Sequence, residues 1–301
     1  MKILITGSTG LLGQALSRHL TPSAEVVGLS RHTPVERTER VQHVVCDLSD
    51  VPRTTSVLRD ARPDVVIHTQ AMSNVDQCEL DPHAAQTMNV TTTQSILRAL
   101  PSPQTFFVHV STDYVFDGAR QRPYDEHDAP HPLSVYGRSK LEGERLALGY
   151  PKSLVIRPST LFGQGRMNFC DHIVEQLQRG GLVEAFIDQQ TSPTYTEDLA
   201  EAIARLLQTV HRSAAPLPSR ILHLANAGGV SRYEFAQRVA TLLGISPEGI
   251  RGIRMAEQRR PAPRPSYSVL TSCYASSVIG DTLPPWDNAL ERYLRQRHWI
   301  N

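Results

Sequence analysis

Tyr136 and Lys140, four positions apart in Tyr136-Gly137-Arg138-Ser139-Lys140, are the residues whose types and spacing can do chemistry. On a helix such a pair projects from one face, so a phenol and an ammonium converge on one small volume. A free tyrosine has a pKa of about 10, and a neighbouring cation favours the phenolate and lowers that value. Upstream, Val110-Ser111-Thr112-Asp113-Tyr114-Val115-Phe116 adds the hydroxyl of Thr112. If the strand ending near Ser111 delivers Thr112 beside Tyr136, a substrate carbonyl receives hydrogen bonds from both while Tyr136 hands over its proton. A Y-x-x-x-K pair alone is more often an ordinary surface pair, so the chemistry depends on the elements around it.

The first of those elements is Ile3-Leu4-Ile5-Thr6, an apolar run suited to a strand buried on both faces. It leads into Gly7-Ser8-Thr9-Gly10-Leu11-Leu12-Gly13, a G-x-x-G-x-x-G turn. Gly7 allows the tight turn, Gly10 lets backbone approach a pyrophosphate, and Gly13 lets the next helix pack closely on the strand. That helix, to about Leu20, aims its N-terminus at the phosphates. A strand before the glycines and an apolar-periodic helix after them is the context that dinucleotide binding requires.

A second strand, Glu25 to Leu29, is followed by Ser30-Arg31-His32. An acidic residue there would hold the ribose hydroxyls of NADH, whereas an arginine accommodates a 2′-phosphate, so NADPH is favoured over NADH. Val41 to Cys46 ends in Asp47-Leu48, which can border the adenine, and Val65-Val66-Ile67 ends in Thr69-Gln70-Ala71, facing phosphate and ribose. Asp81-Pro82 starts a helix running through Asn89 to Leu100. Asn89 orders backbone or water near the site, or is simply a satisfied amide. Phe106 to Val110 is the fifth strand, and Leu154 to Pro158 the sixth. Between them, the proline-containing loop from Asp117 to Leu133 is long enough for a lid or a solvated connection.

Strands separated by helical patterns predict an α/β fold, a doubly wound parallel Rossmann sheet with a smaller C-terminal α/β substrate domain. The dinucleotide-binding domain is expected over residues 1–158, rejoined by about 190–225, with 159–189 and 226–301 forming the smaller domain. There, helical patterns run from Asn168 to Gln178, from Thr196 to Leu207 and, after a capping box at Ser231 and Glu234, to Leu243. A strand is expected at Ile221 to Ala225 and a last helix around Leu290 to Gln296. An arginine of the run Arg259-Arg260-Pro261-Ala262-Pro263-Arg264-Pro265 can close over a second anion.

The composition, 40% hydrophobic and 20% charged with a formal net charge of +1, gives no reason to expect a nucleic-acid or membrane partner. Cys46, Cys78, Cys170 and Cys273 are far apart, which indicates neither a metal site nor a disulfide framework; reduced thiols and a cytoplasmic protein are the simpler reading. The apolar start is broken by glycines too early for a signal peptide.

The glycine turn, the Tyr136/Lys140 pair and the length resemble the extended short-chain dehydrogenase/reductases. Ser111-Thr112-Asp113-Tyr114-Val115-Phe116-Asp117-Gly118, Pro132 to Lys140, and a tail with Arg264-Pro265, Ser268, Leu270 and Pro285-Trp286 resemble the dTDP-4-dehydrorhamnose reductase family. The resemblance implies reduction of the 4-keto group of a nucleotide-linked 6-deoxy sugar. It gives Thr112 as orienting the keto oxygen, Tyr136 as protonating it, and Lys140 as holding the nicotinamide ribose and lowering the tyrosine pKa. Leu11, Leu12, Asp47, Leu48 and Thr69 to Ala71 fall where that family contacts its cofactor, and Asn168 and Arg264 are candidates for the sugar nucleotide. A homodimer is compatible with it, and a metal between subunits is not legible from spacing.

One segment departs from the pattern: where the family reads R-T-S-W, this chain has Arg157-Pro158-Ser159-Thr160, which removes a large apolar surface near the expected sugar and leaves its identity open. The same motifs also resemble the regulatory beta subunit of methionine adenosyltransferase. On that reading Tyr136 and Lys140 are cofactor ligands only. A cofactor-binding sensor without turnover is a third reading.

Overall fold

The computed structural model describes residues 1–34, 40–212 and 216–301. Strand β1 (Lys2–Thr6) turns through the glycines into helix α1 (Leu11–Leu20), and β2 (Glu25–Ser30), β3 (Val41–Val45), α2 (Val51–Ala61) and β4 (Val65–His68) follow. Next come α3 (Val75–Leu80) and α4 (Pro82–Gln86), a π turn at Thr87–Thr91 and α5 (Thr92–Ala99). The expected single helix from Pro82 is therefore interrupted at its middle, around Asn89. Strand β5 (Phe106–Val110), α6 (Val135–Gly149) and β6 (Ser153–Arg157) complete the N-terminal part.

Beyond it run β7 (Leu161–Phe162), α7 (Phe169–Gln178), β8 (Val183–Phe186), β9 (Gln190–Thr191), β10 (Thr194–Tyr195) and α8 (Thr196–Arg212). Then follow β11 (Ile221–His223), β12 (Val230–Ser231), α9 (Arg232–Leu243), β13 (Ile250–Ile253), α10 (Ala275–Ile279) and α11 (Trp286–Gln296). The last helix begins four residues before the expected Leu290, because Trp286 packs against the apolar cluster that it serves.

The central sheet is parallel and seven-stranded, in the order β11-β6-β5-β4-β1-β2-β3. Apart from the edge strand β3, the strands are apolar and β-branched enough to be buried on both faces, and helices cover both. On one face Leu12, Leu16, Leu20 of α1 and Leu199, Ile203, Leu206 of α8 pack against Ile3, Ile5 and Ile67. On the other, Val57 and Leu58 of α2, Ile96 of α5 and Ala147 of α6 pack against Leu4, Val27 and Val66. Helix α8 and strand β11 thus belong to the sheet although they follow α7 in sequence; residues 213–215 of that stretch lie outside the described residues.

Residues from α7, β8, α9, β13 and α11 form a separate apolar cluster around Phe162, Phe235 and Tyr293. Capping boxes start α7 at Asn168 with Asp171 and α9 at Ser231 with Glu234, so both helix ends facing the first half are well determined. Tyr124 pairs with the C-terminal segment through Tyr124 N to Val269 O at 2.8 Å and a bridge to Leu270. Glu126 accepts from the backbone of His223 and Cys273, and Arg122 forks onto Asp128 at 2.8 and 2.9 Å. The loop from Asp117 to Leu133 is therefore strapped to the C-terminal segment, and the expectation of a lid gives way to that of a clasp. No helix is long and apolar enough to cross a membrane among the described residues.

Candidate active site

The carboxyl ends of β1, β4, β5 and β6 open into one cavity of about 560 Å³. Its lining includes Gly7, Thr9, Gly10, Leu11, Leu12 and Gly13 from the first turn, Ser30 and Arg31 after β2, and Thr69, Gln70 and Ala71 after β4. Thr112, Tyr136 and Lys140 line the same cavity, so the structure brings together the residues that can do chemistry and those that can hold a dinucleotide.

Glycine is required at the first turn for steric reasons. Gly7 has φ +70°, and a Cβ at Gly13 would stand 2.2 Å from the Gly7 carbonyl oxygen, where no relaxation of a side chain could relieve it. The close approach leaves α1 starting at Gly10 with no side-chain cap, its first N–H groups turned to the cavity. Gln70 adds a buried Nε2 with no hydrogen-bond partner among the described residues. Orphan backbone donors, an orphan amide and the exposed Arg31 beyond β2 are what a phosphate-bearing dinucleotide needs, so the residues fit that group.

Helix α6 starts at Ser134, whose hydroxyl accepts from Gly137 N at 3.1 Å, and this cap sets Tyr136 in the first turn and Lys140 one turn on. Both are buried, at 8% and 2% exposure. Gly137 lets the helix press against the turn after β5, since a Cβ there would lie 2.3 Å from the Tyr114 carbonyl oxygen. The Thr112 hydroxyl stands beside the Tyr136 phenol in the cavity wall. It also donates to Asp113 at 3.0 Å and accepts from Tyr114 N at 3.2 Å. The Tyr114 ring meets Tyr136 edge-on at 5.8 Å.

Burial pushes the Tyr136 phenol up from its ordinary value, and the polar Thr112 hydroxyl beside it offsets only part of this. The Lys140 ammonium donates to Val110 O at 2.7 Å, and the net effect on the phenol is upward because desolvation is the largest cause. Burial in turn lowers Lys140 from 10.5 to about 8, against the opposing pull of Glu144. Glu144 is held by a fork from Arg157 at 2.8 and 2.6 Å and by Ser111 at 2.5 Å.

Sequence reasoning passed over Asp113, which is 1% exposed and accepts from Ser159 at 2.7 Å and Ser268 at 2.5 Å as well as from Thr112. Burial raises its pKa, and the three hydroxyls oppose this. The carboxylate ties the carboxyl end of β5 to the segment after β6 and to the C-terminal tail; an acid directly after Thr112 was the available signal. Asn89, at the π turn, accepts from Met72 N at 2.8 Å and donates to Met72 O and to Ser139 Oγ at 2.9 Å, so it orders backbone beside α6.

Other expected residues lie elsewhere. Leu48 is in the core, and Asp47 is turned to the surface, where its carboxylate accepts from the backbone and hydroxyl of Ser49, which hold its pKa down. The Asn168 side chain caps α7 and bonds Asp171, Gly163 O and Tyr293, and it lines neither cavity. Arg264 lines a second cavity of about 410 Å³ beside the first, with Arg260, His172 and Phe186, while forking onto Asp76 of α3 at 2.9 and 2.7 Å. The two cavities share Val75, Tyr114 and Arg232. Among the described residues there is no cluster able to hold a metal.

A family model for the RmlD substrate binding domain matches residues 1–298. A dTDP-4-dehydrorhamnose reductase of Mycobacterium tuberculosis is 36% identical over 295 residues, 96% of this chain and 91% of that protein. A probable dTDP-4,6-dihydroxy-2-methyloxan-3-one 4-ketoreductase of Streptomyces antibioticus is 36% identical over 90% of this chain and 86% of its own. A dTDP-4-dehydrorhamnose reductase of Bacillus anthracis, solved in complex with NADP, superposes with a TM-score of 0.86 at 27% identity, covering 98% of this chain and 99% of the other. The match along nearly the whole length, on a fold and a cavity that suit it, means that the chain belongs to the RmlD substrate binding domain family.

Proposed function

We propose that the chain is an NADPH-dependent reductase of the 4-keto group of a nucleotide-linked 6-deoxyhexose, as its relatives' names suggest. The observation that carries this reading is the convergence of Thr112, Tyr136 and Lys140 in the glycine-turn cavity, which shares Val75, Tyr114 and Arg232 with the arginine-lined one beside it. A nucleotide sugar is a keto hexose joined through a diphosphate to a nucleoside. With its hexose at Tyr136, the nucleotide extends toward Arg260 and Arg264, whose charges suit phosphate.

Gly7, Thr9 to Gly13, Ser30, Arg31, Thr69 to Ala71, Tyr136 and Lys140 would hold the cofactor, which supplies a hydride to the carbonyl carbon when bound. Thr112 turns its single O–H from Asp113 to the keto oxygen and polarises it. Tyr136 gives its proton to that oxygen as the C–O bond becomes an alkoxide, and an alcohol results. A phenol whose pKa is raised by burial keeps its proton until the substrate demands it, which suits an acid working in the direction of reduction. The Lys140 ammonium stabilises the phenolate that remains.

The test is oxidation of NADPH with a set of dTDP-4-keto-6-deoxyhexoses. Turnover of at least one supports the reading. No turnover of any, with NADPH still bound, removes it and leaves the regulatory-subunit reading.

A further inference from the structure

Arg232, the first residue of α9, stands where the two cavities meet. Three contacts fix its guanidinium and its backbone. Nη2 donates to Thr160 Oγ1 at 3.1 Å, the group lies over the Phe169 ring at 4.4 Å, and Arg232 N donates to Gln189 O at 3.3 Å. Nη1 is buried and has no hydrogen-bond partner among the described residues, and Arg232 forms no ion pair among them. The nearby acid, Asp113, has its oxygens taken by Thr112, Ser159 and Ser268. A pinned, desolvated N–H with nothing to bond is costly unless a ligand supplies the acceptor.

Resting on the reductase reading, we infer that Arg232 is a specificity-determining residue that donates from Nη1 to a ring hydroxyl of the hexose. The anchor places it on the sugar side. Thr160 directly follows Ser159, whose hydroxyl bonds the same carboxylate as Thr112 does, so the guanidinium is tied to the wall of the reacting centre. The diphosphate has Arg260 and Arg264 farther out. A site built around such a donor rejects the analogue that lacks the hydroxyl, because the charge is then left unpaired.

The test compares calorimetric binding of dTDP, dTDP-glucose and its 2-deoxy and 3-deoxy analogues to the NADPH-loaded protein. In the wild type one deoxy analogue should bind about 10- to 100-fold more weakly than dTDP-glucose, the strength of a hydrogen bond to a charged donor. Arg232→Met should abolish that difference while leaving dTDP and NADPH affinities as they were. Thr160→Val, which only unties the guanidinium, should reduce the difference. An equal loss for dTDP would make Arg232 a diphosphate ligand and overturn the inference. So would a difference that survives in both variants. None of these titrations needs turnover: a protein that reduces keto sugars yet keeps its selectivity in Arg232→Met refutes only this role, and one that reduces none refutes the reductase reading separately.

Discussion

At the scale of residues, the account rests on an acid and a cation with opposed tendencies. Tyr136 is held protonated by burial, whereas Lys140 is brought down to about 8, close enough to neutrality to titrate in an ordinary assay. As pH rises through that value the ammonium loses its proton, and with it the charge that stabilises the phenolate. We therefore expect kcat/KM for keto-sugar reduction to fall above about pH 8, the free-protein value for Lys140, and to stay flat through this range in Lys140→Arg at a lower level. A profile for the wild type that is level to pH 9.5, roughly a unit and a half beyond that value, would separate Lys140 from the reaction. Thr112, Tyr136 and Lys140 were legible because four-residue helical spacing and a strand end are local facts. Asp113 and Arg232 were not, since their partners Ser159, Ser268 and Thr160 are distant in sequence.

Elements explain why these side chains meet. Helix α6 is seated by Gly137 against the Tyr114 carbonyl oxygen, and Gly137→Ala introduces a 2.3 Å contact with backbone. We expect a loss of about 1–3 kcal/mol in stability, the usual range for overpacking, together with a fall in kcat larger than any change in NADPH affinity. Denaturant titration alongside kinetics checks this, and an unaltered kcat would mean that α6 tolerates displacement. Strands β4 and β5 place His68 and His109 behind the site, both buried, with His68 lowered to about 3 by desolvation and by Lys140. Between that value and the ordinary one near 6.5 the unfolded chain binds a proton that the native chain does not. Stability is therefore full above about pH 6.5 and falls as pH drops toward 3, by about 2 kcal/mol at pH 5 from His68 alone. Replacing both, His68→Gln with His109→Leu, should flatten the acid limb of the Tm profile; an unchanged limb in the double variant would exclude the pair as its source. The π turn was invisible to sequence patterns, as Asn89 bonds Met72 and Ser139 from outside its own helix. Asp47 and Leu48 follow the edge strand β3 and do not line the cavity, although Asp47 lies close enough to Arg31 to feel its charge.

For the whole molecule the question is how the sheet and the smaller C-terminal cluster are kept in register across the cleft. Ser268 reaches back to Asp113, Glu126 reaches across to Cys273, and Arg264 forks onto Asp76. The return of β11 to the sheet was legible as an apolar strand after a long helix, but the clasp between Tyr124 and Val269 was not, because it pairs segments well over a hundred residues apart. Arg264 is 11% exposed and is both a tie and a wall of the outer cavity. If it also meets phosphate, Arg264→Met should weaken dTDP binding by about tenfold, the loss of one charged hydrogen bond. A lower Tm with dTDP affinity unchanged would leave it a tie alone.

The central claim is that Tyr136 donates a proton to a keto oxygen on this fold. Its most direct measurement is NADPH oxidation with dTDP-4-keto-6-deoxymannose generated in situ, comparing the wild type with Tyr136→Phe. The account predicts turnover that falls by about 10²- to 10⁴-fold in the variant, the usual contribution of general acid catalysis, with NADPH still bound. Turnover in the variant equal to that of the wild type would contradict it.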